Sequence, residues 1–213
     1  MSKKTRSNSR EKGTISSYQH RVDDESYELT TAPILDQRFR NLPQTAQDEF
    51  NHLSAIAEIN AAEAIPRLLQ LLQQYPLPLI YSCLAIAYGQ VDPAKQKSVI
   101  RENYKKNAKN LFARCNYARL CLADNNTDAI PIIFANQYEL KTLYPKRIQF
   151  HITEYTALTS VFCEYYFKIN ELEQAEALLS KLQEIAPESS ETQRMTELLH
   201  PTFWQRINKK LFG

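Results

Sequence analysis

The stretch TALTSVFCEYYFKINELEQAEALLSKLQEIAPES, residues 156–189, decides how the chain is read. Thr159, Phe162, Cys163 and Tyr166 fall at spacings 0, 3, 4 and 7 and so share one stripe of a helix. Asn170 with Glu173 reads as the cap of a second helix, in which Ala175, Leu179 and Leu182 form another stripe before Pro187 stops it. Two short helices joined by a tight connection follow. The small Cys163 within the first stripe lets a neighbouring helix approach closely.

The same text recurs upstream. Tyr81, Leu84, Ala85 and Tyr88 have this spacing, and Arg114, Tyr117, Ala118 and Cys121 repeat it 33 residues later. The second helices repeat as well: Ala64-Ile65-Pro66 returns as Ala129-Ile130-Pro131, and Ala64, Leu68, Leu71 and Pro76 are laid out like Ala175, Leu179, Leu182 and Pro187. The chain therefore resembles the tetratricopeptide repeat (TPR) family, whose unit is a pair of antiparallel helices. Residues 156–189 match best, with Phe162, Cys163, Tyr166, Ala175, Leu179 and Pro187 in signature slots. Weaker copies span 79–109 and 110–137, and a weaker one still spans 49–77. The family's usual Trp and Gly are missing from their slots, and an insertion of about 11 residues within 136–150 breaks the period. The resemblance implies an all-α fold: a right-handed α-solenoid of three to four TPR-like antiparallel helix pairs over residues 46–190.

The flanks differ in composition. Residues 1–22 carry Lys3, Lys4, Arg6, Arg10, Lys12 and Arg21 against Glu11 alone, a local charge of +5 in a chain of net +2, which leaves the rest at −3. This is a basic arm on a body of opposite sign. No apolar period emerges before Phe39, so residues 1–45 read as a basic, largely disordered tail. Within it, 26–39 (Tyr27, Leu29, Ile34, Leu35) is apolar enough to dock locally. Thr45 with Asp48 reads as the cap of the first strong helix, and no strand is expected anywhere. Residues 191–213 read as C-terminal capping helices. In the last, Phe203, Trp204, Ile207 and Leu211 form an apolar stripe apart from Arg206, Lys209 and Lys210, suited to closing the end of a helix stack. An interfacial membrane contact or docking on a partner are the competing uses.

Little in the sequence supports catalysis. Only three glycines are present, at 13, 89 and 213, which argues against phosphate-cradling loops and hairpin-built folds. Cys83, Cys115, Cys121 and Cys163 have no zinc-site spacing and read as reduced, buried small hydrophobes. His20, His52, His151 and His200 lack a Cys, Ser or acid at dyad spacing. His151 and Glu154 share a helix face, an arrangement read as a surface hydrogen bond rather than a metal site. The expectation is a non-enzyme without a cofactor. With no secretory segment after Met1 and no run of 18 apolar residues, a cytoplasmic location is expected.

The resemblance implies a concave face, lined by the first helix of each pair, that holds a segment of another protein. Carried across, that face comprises Leu79, Ser82, Ile86 and Gln90, then Phe112, Cys115, Arg119 and Leu122, then Ala157, Ser160, Glu164, Phe167 and Lys168. Phe112, Arg119, Glu164, Phe167 and Lys168 are the candidate partner-binding residues, fitted to an apolar segment with one or two charged anchors. Arg119 and Lys168 alone resemble the family's cationic clamp, so a chaperone-tail clamp is not expected. The implied function is an adaptor or co-chaperone-like protein–protein interaction module. A rival reading fills part of the face with the protein's own tail or last helix. The alternative function is a nucleic-acid or ribosome-associated factor that grips phosphates weakly through the basic arm, with Tyr18 the one stacking platform nearby. No membrane contact by the C-terminal helix is expected.

Overall fold

The computed structural model describes residues 18–20, 27–34 and 36–201. In chain order the elements are β1 (Tyr18–His20), β2 (Tyr27–Thr30), α1 (Gln37–Arg40), α2 (Gln44–Ile56), α3 (Ala61–Gln74), α4 (Pro78–Val91), α5 (Pro93–Lys106), α6 (Leu111–Ala123), α7 (Ala129–Phe134), α8 (Leu140–Leu143), β3 (Gln149–His151), α9 (Ile152–Lys168), α10 (Leu172–Ile185) and α11 (Ser190–Leu199). The chain is predominantly helical, as its composition and periodicity suggest. Among the described residues no helix is long and apolar enough to cross a membrane.

Local chemistry sets the helix ends. Asp92 accepts from the Lys95 amide at 3.0 Å and is followed by Pro93, whose missing N–H costs nothing in the first turn of α5. Asn110 caps α6 through the Ala113 amide at 3.0 Å, and Ser189 caps α11 through the Thr192 amide at 3.1 Å. Asparagine takes over positions that glycine usually fills: Asn125, Asn136 and Asn170 sit at φ 56°, 57° and 65°. Asn170 thus ends α9 instead of capping α10, whose N-cap is Glu171. Helix α2 begins at Gln44 after Pro43 rather than at a Thr45 cap, and the Gln44 amide group donates to Asp48 at 2.8 Å.

From α2 to α7 and from α9 to α11 each helix packs on the next, and α2 packs on α4, α4 on α6, α6 on α9 across the short α7 and α8, and α9 on α11. Two apolar cores result. One runs from Phe39 to Val99 and is built by α1 to α5. The other gathers α6 to α11 around Phe134, Phe162 and Val161, and it includes Leu29 from β2.

The strands correct the expectation of a strand-free chain. β1 runs antiparallel to β2 with Tyr18 opposite Leu29, and β2 runs parallel to β3 with Leu29 opposite Phe150. The end of the segment read as an insertion, 136–150, thus enters β3, which pairs with β2 of the N-terminal region. Leu29 and Phe150 are buried, and the Glu28 amide donates to the Ile148 carbonyl at 2.9 Å. Residues 27–34 and 36–45, placed above in the tail, therefore belong to the folded body, with Phe39 also buried. Strands of three or four residues are too short to display a period of two, and their partners lie far apart in sequence. The long helix expected from Gln149 starts at Ile152 because 149–151 pairs with β2. The expected terminal helix at 203–212, and the basic arm of residues 1–22 apart from 18–20, lie outside the described residues.

Candidate functional site

Helix α4 buries Ile80, Tyr81, Cys83, Leu84, Ala85, Ala87 and Tyr88, which leaves Leu79, Ser82, Ile86 and Gln90 as its accessible stripe, as the sequence indicates. Ile86 is 42% exposed. On α6 half of the expected stripe is closed. Cys115 and Leu122 are fully buried, and Phe112 and Arg119 stay accessible with Asn116 and Ala123 beside them, while Arg114 and Tyr117 are partly exposed. Helix α6 is apolar around most of its circumference because α5, α7, α4 and α9 all pack on it. Periodicity then carries little information about which side stays open. Phe112 remains exposed at 37%.

On α9 the face is covered. Ala157, Ser160 and Glu164 are buried there because α11 lies against α9, and Phe167 and Lys168 are half-buried. The covering helix brings its own charges. Glu191 Oε1 pairs with Arg119 Nη2 at 2.7 Å, and Arg194 Nη1 pairs with Glu164 Oε2 at 2.7 Å. Ser160 Oγ donates to Glu191 Oε2 at 3.2 Å and stands 3.1 Å from Arg119 Nη2. Arg119 Nε is out of solvent and has no acceptor among the described residues. Lys168 Nζ donates to Asn125 Oδ1 at 2.9 Å. Both cations expected as partner anchors are thus engaged by the chain itself. Sequence reasoning missed Asn116, and it missed Glu191 and Arg194, whose i, i+3 opposite charges on an amphipathic helix were the available signal.

The remaining candidates have structural roles. His151 caps α9: its Nδ1 accepts from the Thr153 amide at 3.2 Å while Glu154 accepts from the His151 amide at 2.9 Å. Arg147 grips Glu154 through two bonds, at 2.8 and 2.7 Å, and lies over the Phe150 ring at 4.2 Å. The His151–Glu154 pair is therefore a capping box that ties the insertion to α9. No group of three metal-binding side chains occurs among the described residues. All four cysteines are free and buried, and burial pushes the thiols of Cys83 up to about 11 and of Cys115 and Cys163 up to about 12, the reverse of a nucleophile's tuning. A cleft of about 60 Å³ between Tyr27, Tyr138, Tyr155 and Lys181 has room for little beyond water. A scan against protein-family models, a search of curated proteins and a search of solved structures return no match to this chain.

Proposed function

We propose that the chain is a protein–protein interaction module, a divergent TPR-like solenoid of antiparallel helix pairs without chemistry of its own, and that a partner segment lies along α4 and α6. The successive packing of α2, α4, α6, α9 and α11 supports this reading, since it sets the helices read as the first of each pair side by side. The observation that carries it is the exposure of Ile86 and Phe112. Both stand on the accessible stripes of two helices that pack on each other, beside the half-buried Leu79. Burying such a side chain contributes about 1.5–3 kcal/mol. With about 40% of each side chain left for a partner to bury, losing both weakens a complex by roughly 10- to 50-fold.

The test is affinity capture from a lysate with the full chain and with an Ile86→Ser/Phe112→Ser variant, at low and high salt and with nuclease. Arg119 is left intact because its replacement would also break the contact with Glu191. The expected result is one protein retained by the native chain under all conditions and lost by the variant at unchanged melting temperature. Equal retention by both chains overturns the assignment. Retention that vanishes with nuclease or salt, and on removal of residues 1–22, transfers the binding to the basic arm.

A further inference from the structure

Helix α11 stands where a partner would lie on α9. Of its ten residues only Thr192 and Met195 are buried, whereas α9 buries ten. Met195 is buried in the second core with Leu198 and Leu199 packed against it, and the rest of the grip of α11 on α6 and α9 is polar: ion pairs of Glu191 with Arg119 and of Arg194 with Glu164, and the Ser160 hydrogen bond to Glu191, with Arg119, Glu191 and Arg194 exposed enough for water and salt to weaken the pairs. Arg119 is also incompletely served. Glu191 reaches its Nη2 and leaves the buried Nε without an acceptor among the described residues. A carboxylate arriving side-on would take Nε and Nη2 together, the geometry in which a guanidinium binds an acid most strongly.

We propose that α11 is a displaceable strap, a stand-in for the partner that gives way to a helical segment carrying an acidic residue three positions before a basic one. The acid takes both donors of Arg119 and the base takes Glu164, so the segment repeats the charge order of Glu191 and Arg194 with a better reach to Arg119. Displacement joins the α9 face to the open stripe of Ile86, Phe112 and Asn116 and lengthens the groove by one helix. The proposal deepens the groove reading above and rests on it. A strap that is open in about one molecule in ten lowers the apparent affinity for a partner about tenfold.

The probe is a labelled peptide of residues 188–200, used with the full chain and with a full-length Glu191→Lys/Arg194→Glu variant, and no partner protein is required. The variant is expected to exchange its α11 amides rapidly while α4 and α5 stay protected, and to bind the peptide about tenfold more tightly than the native chain. A peptide with the two charges reversed is expected not to bind the variant. The milder Glu191→Gln chain, which keeps the side chain's size, is expected to fall between the two. Equal peptide binding by all chains, or unchanged α11 exchange in both variants, overturns the strap. So does a concentration-dependent dimer of the native chain that sheds its affinity for the peptide, since a second copy is then the occupant. Failed lysate capture beside successful peptide binding would count against the α4–α6 reading and not against the strap.

Discussion

The two cores are written in the same pattern of helix pairs, yet they are closed differently. The core from Phe39 to Val99 is assembled entirely by neighbours in sequence, and its α4 face stays open at Ile86. The core around Phe162 takes Leu29 from the far end of the chain through the β2–β3 pairing, and its α9 face lies under α11. Access to a helix-pair surface is therefore decided by the connecting and flanking segments rather than by the repeat. The stripes of α4 and α6 reach solvent at Ile86 and Phe112, and that of α9 is satisfied internally by α11.

Matched core truncations give the largest effect with which to break this comparison. Leu29 and Leu84 are each 1–2% exposed, one in each core. Leu29→Ala and Leu84→Ala are each expected to cost about 2–5 kcal/mol in denaturant unfolding, from lost burial plus the cavity left behind. Hydrogen exchange sharpens the result. Leu29→Ala should release the amides of 149–151 and α9 while α4 stays protected, and Leu84→Ala should do the reverse. If either variant exposes the whole molecule, the halves form one cooperative unit and differ at their surfaces alone.

Alkaline pH separates the halves by a smaller margin. Burial raises Cys115, Cys163, Tyr144 and Tyr155 to about 12, all in the second core, while the first has Cys83 at about 11 and a more modest upward shift at Tyr81. Each group is held in its protonated, neutral form by folding. Its contribution is full below the unfolded value, 9.0 for a thiol, and is lost as pH rises from there toward the folded value. Stability should thus fall between about pH 9 and pH 12, with α9 and α10 losing exchange protection before α4. Thiol reagents should meet no reactive cysteine in the native protein at pH 8. Early loss of α4, or rapid labelling at that pH, would contradict the assignment of these groups to closed interiors.

Helices were legible in the sequence because their determinants are local. Asp92-Pro93 fixes the start of α5, His200-Pro201 the end of α11, and the stripes of α4 and α10 survive intact. The β2–β3 clip was hidden because its contacts join residues more than a hundred positions apart, and three residues make no pattern. At the candidate site, Ile86 and Phe112 are exposed at positions expected from sequence to lie on an accessible face. The burial of Cys115 and Leu122 was not expected, since α6 is apolar on nearly every side. The cations misled for a related reason: Arg119 and Lys168 read as free anchors until the fold brought Glu191 and Asn125 to them.

The smallest effect concerns the insertion that makes the second half different. Helix α7 ends at Phe134 and is capped by Ala135, which sits at φ 53° and ψ 39°, followed by Asn136 at φ 57°. Asparagine tolerates the left-handed region through its short polar side chain, whereas the Ala135 methyl group crowds the following carbonyl oxygen there. The chain accepts this because two successive left-handed residues turn it sharply from α7 toward α8 and β3, the segment that receives Leu29's strand. Ala135→Gly removes the crowding, but it also frees the unfolded chain, and the two contributions oppose each other. A net gain of up to about 1 kcal/mol is expected, read as a small rise in melting temperature with β2–β3 exchange unchanged. A loss of stability would mean that the Ala135 methyl makes packing contacts worth more than its strain. The insertion would then be fitted to its turn as closely as the helices are to each other.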